Sequence, residues 1–434
     1  MPSTDNSLVL VSTGISGLDE ILGGGIPQGH LYVLEGMTGT GKTTLAMQFA
    51  LAGIRAGERV LYVTLAETER DLHKMAKAHG WNLDGVNILE MVLPQEQRDP
   101  QQDYNLFYPA EVELGERTQR IQEAVERINP QRLVLDSLTS LRLLAADPLR
   151  HRRQVETLRL FLEARGTTAL LVDELLEIPH EIQPRSLVHG LFSLEETMLE
   201  YGRSRQRLRV TKIRNIPHPR TWHDYRIRTG GVEVYPHLVS AEHQQQPIGE
   251  PAASELADLD ALLGGGLGRG SSTLLLGPAG TGKSTLALQY AVAAARRGEK
   301  SLICLFDEQR HSLVARGESL GLKVRDHLAD GLILIRQIDP NDLSPGQFAH
   351  SIRQQVEQEQ LKLVVFDGVS GYMNAMPEQR FLALHFHELL SYLARQGVVT
   401  LMVMGESSLV STESASRIDL TTLADTVLLL RFAT

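Results

Sequence analysis

Two stretches of this chain carry the residue types that grip phosphate: Gly36-Met37-Thr38-Gly39-Thr40-Gly41-Lys42-Thr43-Thr44 and Gly277-Pro278-Ala279-Gly280-Thr281-Gly282-Lys283-Ser284-Thr285. Both fit G-x-x-x-x-G-K-[ST], in which backbone N–H groups and a helix N-terminus cradle a nucleotide's phosphates. Gly36, Thr38, Gly39, Thr40, Gly41 and Thr44 are the expected contacts of the first loop, and Gly277, Ala279, Gly280, Thr281, Gly282 and Thr285 those of the second. Lys42 and Lys283 would meet the β- and γ-phosphates, and Thr43 and Ser284 would place a hydroxyl on Mg²⁺. The alternative is a glycine-rich turn that binds nothing. The spacing from Lys42 to Lys283 recurs between the triplets starting at Gly23 and Gly264, between Asp19 and Asp260, and between Glu67 and Glu308. Two loops in register with their flanks indicate a duplicated nucleotide-binding domain.

Acidic residues downstream complete the chemistry. Asp136 and Asp367 each follow an apolar run, Arg132-Leu133-Val134-Leu135 and Lys362-Leu363-Val364-Val365-Phe366, and suit a role toward Mg²⁺. A strand-ending Asp can equally cap the next turn. Glu67 and Glu308 are placed to orient or deprotonate the group attacking the γ-phosphate, or else are solvated residues opening a helix, Thr68 to Ala78 in the first half. Ala66 precedes Glu67, whereas Asp307 precedes Glu308.

The elements that must position these groups repeat as well. Each half runs from a glycine-rich approach to an apolar strand (Leu31–Leu34 or Thr273–Leu276), the loop, a helix, and a second strand (Val60–Val63 or Ser301–Leu305). Short, wholly apolar strands alternating with helices indicate a mainly parallel sheet flanked by helices, with nucleotide at the carboxyl ends of the strands. The fold class is therefore α/β, as two tandem P-loop domains over 1–240 and 253–434, joined by a polar linker at 241–252. The run Val427–Leu430 matches Leu191–Leu194, so the stretch from Tyr201 to Pro236 has no counterpart in the second half.

With 434 residues, 42% of them hydrophobic, the chain can bury two cores. No run of about 18 apolar residues and no signal-peptide pattern appears, which points to a cytoplasmic protein without membrane contact. The lone Cys304 lies in the run Leu302–Phe306 and reads as a buried strand thiol. The net charge of −10 argues against a dedicated nucleic-acid binder. Against that total, Arg203, Arg205, Arg207, Arg209, Lys212, Arg214, Arg220, Arg226 and Arg228 form a basic stretch whose alternation around Leu208, Val210 and Ile213 suggests an edge hairpin. Three readings fit it: a solvated strand face, a phosphate-backbone stripe, or a finger offered to a neighbouring subunit's γ-phosphate.

The segment Thr13-Gly14-Ile15-Ser16-Gly17-Leu18-Asp19-Glu20-Ile21-Leu22-Gly23-Gly24-Gly25-Ile26-Pro27-Gln28-Gly29, with Val63–Thr68, Leu135–Ser140 and Lys212-Ile213-Arg214, resembles the KaiC family of RecA-like ATPases. That resemblance covers nearly the whole chain. It implies ATP and Mg²⁺ as cofactors and a homohexameric double ring with ATP between subunits, where Lys212 and Arg214 reach into the neighbour's site. It further implies an ATPase in the first domain, and in the second a serine/threonine autokinase whose general base is Asp307-Glu308 and whose phosphoacceptors are Thr421 and Thr422. A signalling protein would be its partner. Ala66 stands where the family has a first glutamate, Asn215 where its finger continues with glycine, and the second half ends before any finger hairpin. Two other classes stay open: a RecA/RadA-like DNA repair ATPase, and a non-catalytic scaffold held together by bound ATP.

Overall fold

A computed structural model describes residues 8–92, 110–145, 147–175, 184–198, 204–238, 249–339, 343–374, 379–405 and 420–432. Arg203 and most of the expected linker lie outside the described residues. The chain forms two compact units, one ending at Pro236 and the other running on from His237.

In the first unit, β1 (Leu10–Val11) and β2 (Ile26–Pro27) make a small antiparallel ribbon. The main sheet follows: β3 (Leu31–Gly36), β4 (Val60–Thr64), β5 (Val86–Glu90), β6 (Arg132–Asp136), β7 (Thr168–Glu174), β8 (Gly190–Thr197), β9 (Arg205–Ile213), β10 (His223–Arg228) and β11 (Gly231–Tyr235). Their spatial order is β11-β10-β9-β8-β3-β7-β6-β4-β5. From β8 to β5 every pair is parallel, and β9 to β11 extend the sheet as an antiparallel meander. The basic stretch is thus larger than a hairpin, and its most alternating strand, β9, is interior rather than at the edge.

The second unit holds β12 (Ser272–Gly277), β13 (Ser301–Leu305), β14 (Ile333–Gln337), β15 (Leu363–Asp367), β16 (Val399–Gly405) and β17 (Thr426–Leu429). They order as β14-β13-β15-β16-β12-β17, all parallel. Removing the meander from the first sheet leaves the same order, so the repeat in sequence is a repeat of topology. Among the described residues the second sheet has no antiparallel extension.

Why the strands read as unbroken apolar runs is visible in their side-chain alternation. Leu31, Val33, Leu61 and Val63 enter the core on one face, while Tyr32, Leu34, Val60 and Tyr62 enter that on the other. The second sheet divides likewise, with Leu275, Ile303 and Leu305 on one face and Leu274, Leu276, Leu302 and Cys304 on the other. Both faces are covered, so neither parity can be polar. Cys304 is fully buried, and burial pushes its thiol up to about 12, as expected of an inert strand cysteine.

Candidate nucleotide-binding site

Each P-loop leaves the carboxyl end of its sheet's parallel strand and enters a helix, Lys42–Arg55 or Lys283–Arg296. The turn needs left-handed backbone at Gly39 and Gly41 (φ 86° and 84°) and at Gly280 and Gly282 (83° and 89°), which a side chain would oppose. Gly41 and Gly282 are the N-caps and supply no capping side chain. The first-turn N–H groups are therefore left for an anionic ligand. Lys42 Nζ donates to the carbonyls of Gly36 (2.9 Å) and Met37 (2.7 Å), and Lys283 Nζ to those of Gly277 (2.8 Å) and Pro278 (2.7 Å). Both ammonium groups are folded over the cradle a phosphate would fill. Burial lowers the Lys42 pKa, with Glu174, Asp136 and Asp173 opposing.

The hydroxyl and carboxylate proposed for Mg²⁺ meet in space. Thr43 Oγ1 donates to Asp136 Oδ2 at 2.8 Å, and the Tyr62 hydroxyl donates to the same oxygen at 2.9 Å. In the second unit Ser284 hydrogen-bonds to Asp367. Burial raises both aspartates, Asp367 to about 6, with Glu308 adding to it. A hydroxyl paired with a carboxylate beside a phosphate cradle fits the oxygen donors that Mg²⁺ prefers.

The two glutamates share a place but not a state. Glu67 follows β4; its backbone N–H and carbonyl are tied to Thr64 Oγ1, while its carboxylate makes no hydrogen bond or ion pair among the described residues. Burial, then Asp136 and Asp71, raise its pKa. Glu308 instead accepts two hydrogen bonds from Arg316, at 2.7 and 2.8 Å. Position 75, which corresponds to Arg316 in the first half, is Met75. Asp307 is raised by burial and packs tightly against Gly368 and Gly371.

Lys212 and Arg214 stand elsewhere. Lys212 opposes Leu191, which opposes Val33, so both residues lie near the amino end of β3 while the P-loop leaves its carboxyl end. Three strand residues, roughly 10 Å, separate the levels. Lys212 Nζ donates to the carbonyls of Arg185 (2.9 Å) and Val188 (2.8 Å), and Arg214 to that of Ser186 (3.3 Å). The turn Leu420–Leu423, bearing Thr421 and Thr422, sits at the corresponding end of the second sheet, because Thr426 opposes Thr273 and the loop begins only after Gly277. Asp425 fixes that turn by accepting from the Ser272 N–H (2.8 Å) and hydroxyl (2.9 Å). Thr421 is half-buried and Thr422 exposed.

Several residues that position the first site have no motif. Tyr225 on β10 donates its hydroxyl to the Thr40 carbonyl at 2.6 Å, and Gln48 exchanges two hydrogen bonds with Val232 on β11. The meander thus braces the P-loop and its helix. Thr38 Oγ1 donates to Glu174, the last residue of β7, which the sequence reading did not single out; its place after the apolar run Ala169–Val172 is the signal that could have marked it. The arginines of the basic stretch are largely engaged internally: Arg205 with Asp224 (3.0 Å), Arg207 with Glu195 (3.2 Å), and Arg207 and Arg209 over the Trp222 ring. Asp19 and Asp260, repeated in sequence, are structural: each accepts from the backbone and hydroxyl of Thr13 or Ser254 ahead of its helix.

Duplicated parallel sheets, each with a phosphate cradle at its carboxyl edge and a hydroxyl–aspartate pair beside it, define tandem RecA-like P-loop ATPase domains. The family model described as "ATPase: KaiC" matches residues 11–239 and 253–434, and the chain belongs to that ATPase family. Its relatives include the "Circadian clock oscillator protein KaiC" of a Picosynechococcus species, 25% identical over 433 residues that span 97% of this chain and 82% of that protein. The protein of the same name from Thermosynechococcus vestitus is 25% identical over 97% of this chain and 81% of its own length. "Circadian clock protein KaiC3" of a Synechocystis species is 24% identical over 97% and 84%. Among the described residues, no helix is long and apolar enough to cross a membrane.

Proposed function

We propose that this KaiC-family ATPase works as a cytoplasmic homohexameric ring, with a first domain over 1–240 and a second over 253–434 joined by 241–252, and relays a signal to a partner protein through nucleotide or phosphorylation state. One observation carries the reading: Lys212, Arg214, Thr421 and Thr422 all lie at the end of a sheet opposite their own chain's P-loop. None can act on its own nucleotide, so each has a use at γ-phosphate only across a head-to-tail contact that closes a ring.

In the first domain the loop amides and Lys42 bind the phosphates of ATP, and Thr43 and Asp136 hold Mg²⁺. When bound, the ion would supply charge neutralisation to the nucleotide's phosphates. Glu67, without a cation partner among the described residues and with its pKa raised by burial, orients and deprotonates the attacking water. A neighbour's Lys212 and Arg214 stabilise the charge that develops on the transferred phosphoryl group. In the second domain Lys283 binds the nucleotide, Ser284 and Asp367 would hold the metal, and Asp307 with Glu308 accepts the proton of a neighbour's Thr421 or Thr422 hydroxyl as that oxygen takes the γ-phosphoryl group of ATP and ADP leaves.

Phosphopeptide mass spectrometry on protein incubated with ATP and Mg²⁺, wild type beside Lys283→Ala, tests the kinase half. Phosphate on Thr422 above Thr421, lost in the variant, is expected; none in either leaves the ATPase alone. A second reading, in which the second domain only holds ATP as a scaffold, is favoured by the double hydrogen bond that occupies Glu308.

A further inference from the structure

Away from the nucleotide sites, three metal-binding side chains converge in the second unit. His385 and Glu388 are one turn apart on the helix Gln379–Arg395 and share a face. His237, two residues beyond β11, places its ring 5.0 Å from that of His385. Its Nε2 lies 3.0 Å from Glu388 Oε2, His385 Nδ1 lies 4.0 Å from the same oxygen, and one donor atom from each of the three falls within 4.8 Å of the others. The side chains are 16%, 18% and 20% exposed for His237, His385 and Glu388, sheltered yet open to an arriving ion.

We infer that His237, His385 and Glu388 bind one Zn²⁺-class divalent ion, with a water in the fourth position. Metal–ligand bonds of about 2.0–2.2 Å in a tetrahedron put donors roughly 3.4 Å apart, and the observed 3.0 and 4.0 Å separations bracket that value. Side-chain adjustment of about an ångström closes the site. Two imidazoles and a carboxylate select zinc and its neighbours in the first transition row over Mg²⁺ or Ca²⁺, which take oxygen ligands. The backbone is already held: Leu238, beside His237, is 5% exposed and packs in the same core as Leu389 and Leu390, the residues that follow Glu388. Ligation would fasten the start of the second unit to this helix. The competing account is a plain His–Glu ion pair.

Calorimetric titration of the full-length, chelator-stripped chain with Zn²⁺, followed by Co²⁺ as an optical probe, decides between them. One equivalent of Zn²⁺ is expected, with the visible absorption of four-coordinate Co²⁺. His385→Ala and the conservative Glu388→Gln should each weaken binding by at least the 10–100-fold that loss of a supporting partner costs at metal sites. The variants' circular dichroism should match wild type, and a Lys42→Ala/Lys283→Ala protein should bind Zn²⁺ as wild type does. No binding by wild type, or binding that both cluster variants retain in full, overturns the site.

Discussion

Replacing Arg316 with methionine, the residue at the corresponding position of the first half, should accelerate the second site. Both Glu308 oxygens accept from Arg316, at 2.7 and 2.8 Å, and the two side chains are 24% and 36% exposed. Before Glu308 can accept a proton from an attacking water or threonine hydroxyl, at least one of these bonds must be given up. A hydrogen bond to a charged group contributes about 1.5–3 kcal/mol when well shielded, and partial exposure screens this pair to about 1–2 kcal/mol. At 1.36 kcal/mol per factor of ten, freeing Glu308 should raise kcat about 5–30-fold. The assay is steady-state ATP hydrolysis in a Glu67→Gln background, which silences the first site yet leaves its P-loop able to bind ATP. KM should change less than twofold, because Arg316 touches the base rather than the phosphate cradle. A kcat that is unchanged or falls, with ATP still bound, would refute the reasoning, and a fall would mean that Arg316 itself acts on the phosphates.

Two further outcomes follow from the first unit. Tyr225→Phe removes the hydroxyl that braces the Thr40 carbonyl, a net loss of about 1 kcal/mol, so ATP binding at the first site should weaken about fivefold in a fluorescent-nucleotide titration while the second site is unmoved. His151 is 2% exposed, and burial, then Arg142, lowers its pKa to about 4. The unfolded chain takes up this proton below about 6.5 and the folded chain only near 4, so stability is intact above that window and falls by about 3 kcal/mol as pH drops through it. Calorimetric scans from pH 7 to 4 should show His151→Leu losing less stability than wild type.

The P-loops, the hydroxyls at Thr43 and Ser284, the strand-ending Asp136 and Asp367, and the α/β repeat were all legible in the chain, because each is a local pattern whose chemistry demands residue types at fixed spacing. Apolar runs marked the strands for the same reason: a sheet covered on both faces leaves no polar parity. Strand order and register were not written locally. They alone put Lys212 and Arg214 at the end of the first sheet away from its loop, and Thr421 and Thr422 at that end of the second. The basic stretch looked like a free edge from its alternation, yet Arg205, Arg207 and Arg209 are spent on Asp224, Glu195 and Trp222, and its strands brace the P-loop through Tyr225 and Val232. Glu67 and Glu308 hold equivalent positions in sequence, and Met75 against Arg316 is written there too, but only the turn of helix that aims Arg316 back at Glu308 shows that this difference occupies one carboxylate. Chemistry that resides in one loop is determined by the sequence directly, whereas partners chosen across strands and turns depend on packing that brings distant residues within hydrogen-bond reach.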